Sequence, residues 1–143
     1  MQPLSPVVHS IVNVKFPHAA VLIPYFALVV TGCGKSGPQI APVHGRVTLN
    51  GQPLAQADVL FQPEGAQRPS TGRTDADGRY ELAYKRGKMG AMVGPNTARI
   101  SVSSELVKNP PSIPERYAIR SELHPEVKPG DNEFNFDLTS DPK

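Results

Sequence analysis

From Val43 onward the chain is a succession of short runs in which apolar and polar residues alternate, each closed by Gly, Pro, Asn or Asp. Successive side chains of a strand point to opposite faces, so a period of two implies one buried and one wet face. Within Val43–Leu49, positions 43, 47 and 49 are apolar, whereas 44, 46 and 48 are polar. Ala57, Val59 and Phe61 share one face of the next run, and Pro63 follows it. Gly72-Arg73-Thr74 is a short third run. Tyr80, Leu82 and Tyr84 alternate with Glu81, Ala83 and Lys85. Ala98, Ile100 and Val102 alternate with Thr97, Arg99 and Ser101, and Phe134, Phe136 and Leu138 with Glu133, Asn135 and Asp137. No segment in this region repeats its apolar residues with the 3.6 period of an amphipathic helix.

Six such runs, with a seventh available from Ala118 to Leu123, predict an all-β fold: an antiparallel β-sandwich of about seven strands. Its core depends on Phe61, Tyr80, Leu82, Ile100, Phe134 and Phe136. Asn50-Gly51 predicts a tight type I′ hairpin, since both central residues of that turn need φ > 0. Asp75-Ala76-Asp77-Gly78 predicts a second turn, with aspartate oxygens accepting backbone N–H groups. Asn109-Pro110-Pro111-Ser112-Ile113-Pro114 cannot occupy a central strand, because proline donates no ladder hydrogen bond, and is expected as an extended crossing.

The first third of the chain is different. An apolar run from Ala19 to Val30 contains Pro24 and is about a dozen residues long, against the ~20 needed to span a bilayer as a helix. With Lys15 before it and small residues after it, the run reads as the apolar region of an export signal. Val30-Thr31-Gly32-Cys33 resembles the lipobox of bacterial lipoprotein signal peptides, in which the cysteine becomes the lipid-bearing first residue. That resemblance implies a signal peptide at 1–32, lipidation of Cys33, a tether at 33–41 and a folded domain at 42–140. Cys33 is the sole cysteine, so the remaining 111 residues (33–143) can hold no intrachain disulfide and rely on packing. Their near-neutral charge excludes the broad basic footprint of a nucleic-acid binder. Gly34 stands where many Gram-negative lipoproteins retained in the inner membrane carry aspartate. The outer membrane, facing the periplasm, is therefore the expected location.

Gly45-Arg46-Val47-Thr48-Leu49-Asn50-Gly51-Gln52-Pro53-Leu54, Ala57-Asp58-Val59-Leu60-Phe61 and Thr74-Asp75-Ala76-Asp77-Gly78-Arg79-Tyr80 together resemble the carboxypeptidase regulatory-like domain, a transthyretin-like or immunoglobulin-like sandwich. Gly90-Ala91-Met92-Val93-Gly94, Pro114-Glu115-Arg116-Tyr117 and Asn132-Glu133-Phe134-Asn135-Phe136-Asp137-Leu138 resemble a subgroup of small planctomycete-type lipoproteins. The resemblance covers roughly Pro42 to Leu138. It implies a non-catalytic cell-envelope module that makes protein or carbohydrate contacts or serves a structural role.

The residues able to carry chemistry are few. Asp75 and Asp77 are the only metal candidates, but the twelfth position of a calcium loop starting at Asp75 is Arg86, a cation where a glutamate is required. His44 and His124 have no second histidine or cysteine at metal-ligand spacing. Neither H-E-x-x-H nor G-x-S-x-G occurs. Hydroxyisourate hydrolases share the transthyretin-like architecture, but their Tyr-Arg-Gly-Ser signature is missing. No cofactor and no catalytic residue is expected. The contrasting expectation is a small envelope hydrolase or enzyme subunit, its site built from His44, Asp75, Asp77 and His124. Lys85, Arg86 and Lys88 form the densest basic cluster and are the candidate surface contact, for lipid head groups or acidic glycans.

Overall fold

The computed structural model describes residues 37–65 and 67–140. The expected signal peptide at 1–32, the lipidation site Cys33 and the start of the tether lie outside the described residues. In chain order the strands are β1 (Ile40–Ala41), β2 (Val43–Leu49), β3 (Gln52–Pro53), β4 (Ala57–Pro63), β5 (Ser70–Arg73), β6 (Arg79–Glu81), β7 (Ala83–Lys85), β8 (Lys88–Met89), β9 (Ala91–Met92), β10 (Gly94–Val102), β11 (Glu126–Val127), β12 (Asn132–Glu133) and β13 (Phe136–Leu138). One short 3₁₀ turn, Glu115–Tyr117, is the helical element among the described residues.

These strands form the all-β sandwich that the alternation predicts. A six-stranded sheet has the order β11-β10-β4-β5-β7-β8. In a second sheet β2 is central and pairs with β12 and β13, and also with β3 and β6. A two-stranded ribbon, β1-β9, completes the set. The long runs pair as their pattern requires: β4 and β10 match residue for residue from Ala57↔Val102 to Pro63↔Asn96. Val43, Val47, Ala57, Val59, Phe61, Ala98 and Ile100 are fully buried. Each large apolar side chain so buried contributes roughly 1.5–3 kcal/mol.

The aromatic residues join the two sheets. The Phe61 ring on β4 lies 5.7 Å from that of Phe134 and 6.2 Å from that of Phe136 on the facing sheet. Tyr80 stacks on Phe136 at 6.3 Å. Among the six expected core residues, Phe134 is only half-buried. The Asn50-Gly51 hairpin forms as predicted, with φ of 52° and 80° at its two residues and Leu49 opposite Gln52.

Four features depart from the sequence reading. First, the run from Arg79 to Lys85 is not one strand. β6 pairs with β2 and β7 with β5, so the chain changes sheets at the fully buried Leu82. Second, Ala118 to Leu123 is not a strand. The N–H groups of Tyr117, Ala118, Arg120 and Glu122 are taken by local carbonyls, and only Leu123 bridges to Ala98. Third, the sandwich is not wholly antiparallel, since β12 and β13 run parallel to β2. The long connection after β10 returns the chain to the end where β2 begins, which we term the leading end. There Val127 sits opposite Gly94, and the last strands then run the same way as β2. Fourth, the fold takes in part of the expected tether. Ile40 and Ala41 pair with Met92 and Ala91, and Val93 N–H donates to the Gln39 carbonyl at 2.9 Å.

Candidate functional site

The outward face of the β2 sheet carries a group of polar side chains around a shared concavity. Because β2 alternates, Val43 and Val47 point into the core, while His44, Arg46 and Thr48 face out. Parallel pairing sets Glu133 opposite His44 and Asp137 opposite Thr48, and antiparallel pairing sets Arg79 opposite Arg46. A depression of about 550 Å³ is lined by these residues and Asn135. A second, of about 450 Å³, adjoins it through His44, Gly45 and Arg79 and reaches Arg73, Asp75 and Glu81.

Gly45 explains why both strands meet here. A Cβ at this position would stand 1.8 Å from the Phe134 carbonyl oxygen. That carbonyl occupies the side-chain space that glycine leaves empty, where it accepts the Tyr80 hydroxyl at 2.8 Å. Phe134 N–H donates to the His44 carbonyl at 2.9 Å. The approach interrupts the last strand between β12 and β13 and presents Asn135 to the outside.

A hydrogen-bonded frame fixes the rim. Arg46 N–H donates to Asn135 Oδ1 at 2.9 Å, and Asn135 Nδ2 donates to Glu133 Oε1 at 3.0 Å. Thr48 Oγ1 donates to Asp137 Oδ1 at 2.7 Å. Arg46 Nε donates to the Asp77 carbonyl at 2.9 Å, tying the strand to the Asp75–Gly78 turn. His44 Nε2 lies 3.0 Å from Asp131 Oδ2. That contact, with smaller contributions from the Asp131, Glu133 and Glu81 charges, raises the imidazole pKa above its usual 6.5. Tyr80 is pushed well above the normal phenol range by burial, so it serves as a neutral hydrogen-bond donor.

The expected candidates fall in different places. Asp75 Oδ1 accepts the N–H groups of Asp77 and Arg79, both at 2.9 Å, as the turn chemistry predicts. At Asp77 it is the main-chain carbonyl that accepts, from Arg46 Nε at 2.9 Å. Among the described residues no group of three or more His, Cys, Asp or Glu could hold a metal ion, and Asp75 and Asp77 do not form one. His44 and Asp75 share the smaller depression, but His124 contacts Thr97 Oγ1 at 3.4 Å on β10, in the other sheet. The four-residue constellation is therefore not assembled. Lys85, Arg86 and Lys88 are exposed around the β7–β8 turn.

A third concavity, about 530 Å³ and more apolar, lies on the outer face of the six-stranded sheet. It is lined in part by Leu60, Thr71, Arg99, Ala118 and Ile119, with Ile119 itself 75% exposed. The sequence reading missed both it and the Arg46–Arg79–Asn135 surface. The alternation did mark 44, 46, 48, 133, 135 and 137 as wet positions. It did not reveal that they are neighbours.

No family model matches this chain, and no curated protein matches it. Among solved structures it is similar to a DUF3823 family protein from Parabacteroides merdae, with 16% identity and a TM-score of 0.45. The match covers 71% of this chain and 46% of that one, so this chain spans less than half the length of that protein.

Proposed function

We propose that this chain is a lipid-anchored, non-catalytic protein of the cell envelope, whose β-sandwich is a carboxypeptidase regulatory-like module held close to the membrane. The observation that carries the reading is the short distance in sequence between Cys33 and the fold. Gln39 is already hydrogen-bonded to Val93, so only residues 34–38 separate the lipobox cysteine from the sandwich. Six Cα steps reach at most ~20 Å. Anchored through Cys33, the module stays within one domain diameter of the bilayer. The Asn50-Gly51 hairpin and the Asp75–Gly78 turn support the assignment to the carboxypeptidase regulatory-like group.

The polar depressions over β2 are the contact surface of that module. Their rim offers guanidinium, amide and carboxylate groups, which suits a hydrogen-bonding partner such as a protein loop or a glycan. Metabolic labelling with an alkyne fatty acid in the native host, followed by intact-mass measurement, tests the anchor. The expected product begins at Cys33, carries acyl mass and loses its label in a Cys33→Ala variant. A protein retaining residues 1–32 with an unmodified thiol refutes the reading.

A further inference from the structure

We infer that the β7–β8 hairpin, with Lys85, Arg86 and Lys88 at its tip and Arg68 beside it, is a docking surface for anionic phospholipid head groups. The inference rests on the anchored reading for its biological setting, but its physical basis is strand direction. β4 runs toward the leading end, where Pro63 lies opposite Asn96 near the start of β10. β5 is antiparallel to β4, with Ser70 opposite Phe61, so the loop holding Arg68 is at that end. β7 is antiparallel to β5, through Ala83 and Thr71, and therefore also runs toward the leading end. Its turn into β8, with Lys85 opposite Lys88, points the same way.

The chain enters the fold at this same end and beside this same edge. Leu82 N–H donates to the Val43 carbonyl at 2.9 Å, and Gly90 N–H donates to the Leu82 carbonyl. A Cβ on Gly90 would stand 2.1 Å from the Ala41 carbonyl oxygen, so β1 passes directly against the base of the hairpin. Gln39, the residue that leads back toward Cys33, is thus on the side to which the basic tip projects. A lipid on Cys33 would hold this end of the sandwich against the bilayer.

The chemistry of the tip fits that setting. Lys85, Arg86, Lys88 and Arg68 are all exposed, and Met89 is 48% exposed next to them. Five acids also lie toward the leading end, two of them, Glu81 on β6 and Glu133 on β12, opposite His44 in the second sheet. Glu64 shares the β4–β5 loop with Arg68. Glu126 is on β11, at the opposite edge of the six-stranded sheet, and Asp131 is engaged by His44. Cations therefore predominate at the hairpin tip, while the acids are dispersed over the β4–β5 loop, the opposite edge and the second sheet. A basic residue near an anionic membrane surface raises partitioning roughly fivefold, so the three tip cations together supply about a hundredfold.

The test uses the full chain carrying Cys33→Ser, so that no lipid contributes, and vesicles of phosphatidylcholine with or without phosphatidylglycerol. The readout is the ratio of partition coefficients on anionic and neutral vesicles, in which any apolar contribution from residues 1–32 cancels. The expected ratio is large at low salt, falls by about two orders of magnitude in Lys85→Gln/Arg86→Gln/Lys88→Gln, and collapses in molar salt, where the Debye length is about 3 Å. Lys108→Gln, in the loop beyond the opposite end of β10, leaves it unchanged. An equal ratio for the parent and the triple variant overturns the inference. So does capture by a soluble acidic polysaccharide without any preference for anionic vesicles. Neither result depends on whether Cys33 is acylated in the cell, so failure here is separable from failure of the anchor.

Discussion

Replacing Gly45 with alanine tests the relation between the fold and its polar surface most directly. The added Cβ would lie 1.8 Å from the Phe134 carbonyl oxygen, 2.6 Å from its carbon and 3.1 Å from the Tyr80 ring. Restoring even a tight 3.0 Å contact requires the two backbones to part by about 1.2 Å. Neither can yield as a flexible side chain would. The displaced carbonyl leaves the Tyr80 hydroxyl, now 2.8 Å away, and stretches the Phe134–His44 main-chain bond at 2.9 Å. Two net hydrogen bonds and one unsatisfied buried phenol amount to about 2–4 kcal/mol. For a domain near 100 residues that corresponds to a fall in Tm of roughly 10–25 °C. The chain lacks tryptophan, so unfolding is best followed by far-ultraviolet circular dichroism in urea and on heating. Gly37→Ala, with nothing within 4 Å, is the neutral control. A double-mutant cycle adds a sharper criterion. Tyr80→Phe alone should cost about 1 kcal/mol, but in the Gly45→Ala background it should cost nothing or stabilise, because the bond it removes is already broken and the hydroxyl it removes has no partner. If Gly45→Ala lies within 0.5 kcal/mol of the parent, or the two changes are additive, the close-approach account is wrong.

Three further outcomes follow from single groups. Thr74 Oγ1 donates to the Leu54 carbonyl at 2.6 Å and accepts the Ala57 N–H at 2.8 Å in a buried position. Thr74→Val should therefore cost about 1–3 kcal/mol in urea unfolding, despite its equal shape. Asp75→Ala removes the acceptor of two turn N–H groups and should cost about 1–2 kcal/mol, whereas Asp77→Ala should be nearly neutral; equal effects would count against the turn assignment. The His44 pKa is raised, chiefly by its hydrogen bond to Asp131. The pair's contribution to stability is accordingly complete below pH 6.5 and is lost as pH rises through the folded-state pKa. An NMR titration should show the His44 midpoint move down toward 6.5 in Asp131→Asn, and an unmoved midpoint would reject the pairing.

The periodicity in sequence shows which face of each strand is wet, but not which wet faces become neighbours. Val43–Leu49 is legible because burial of one face imposes its alternation, and Asn50-Gly51 because its turn needs two residues with φ > 0. The parallel contact of β2 with β12 and β13 joins residues 89 apart, such as His44 and Glu133. No local pattern encodes it; it follows from where the connection after β10 delivers the chain. The switch of sheets at Leu82 is hidden for the opposite reason. In sequence Tyr80, Leu82 and Tyr84 alternate with Glu81, Ala83 and Lys85 straight across it, because Leu82, between two sheets, is as buried as a residue within either. Ala83 and Tyr84 beyond it are nonetheless equally half-buried. Gly45 is the informative exception. A glycine in the middle of a well-patterned strand weakens that strand unless another backbone needs its space. Here the Phe134 carbonyl takes that space, and Asn135 and Glu133 are carried to the rim with it. A mid-strand glycine facing the core was thus the local sign that a second backbone meets β2 there, and reading it correctly required knowing which strand lies beside it.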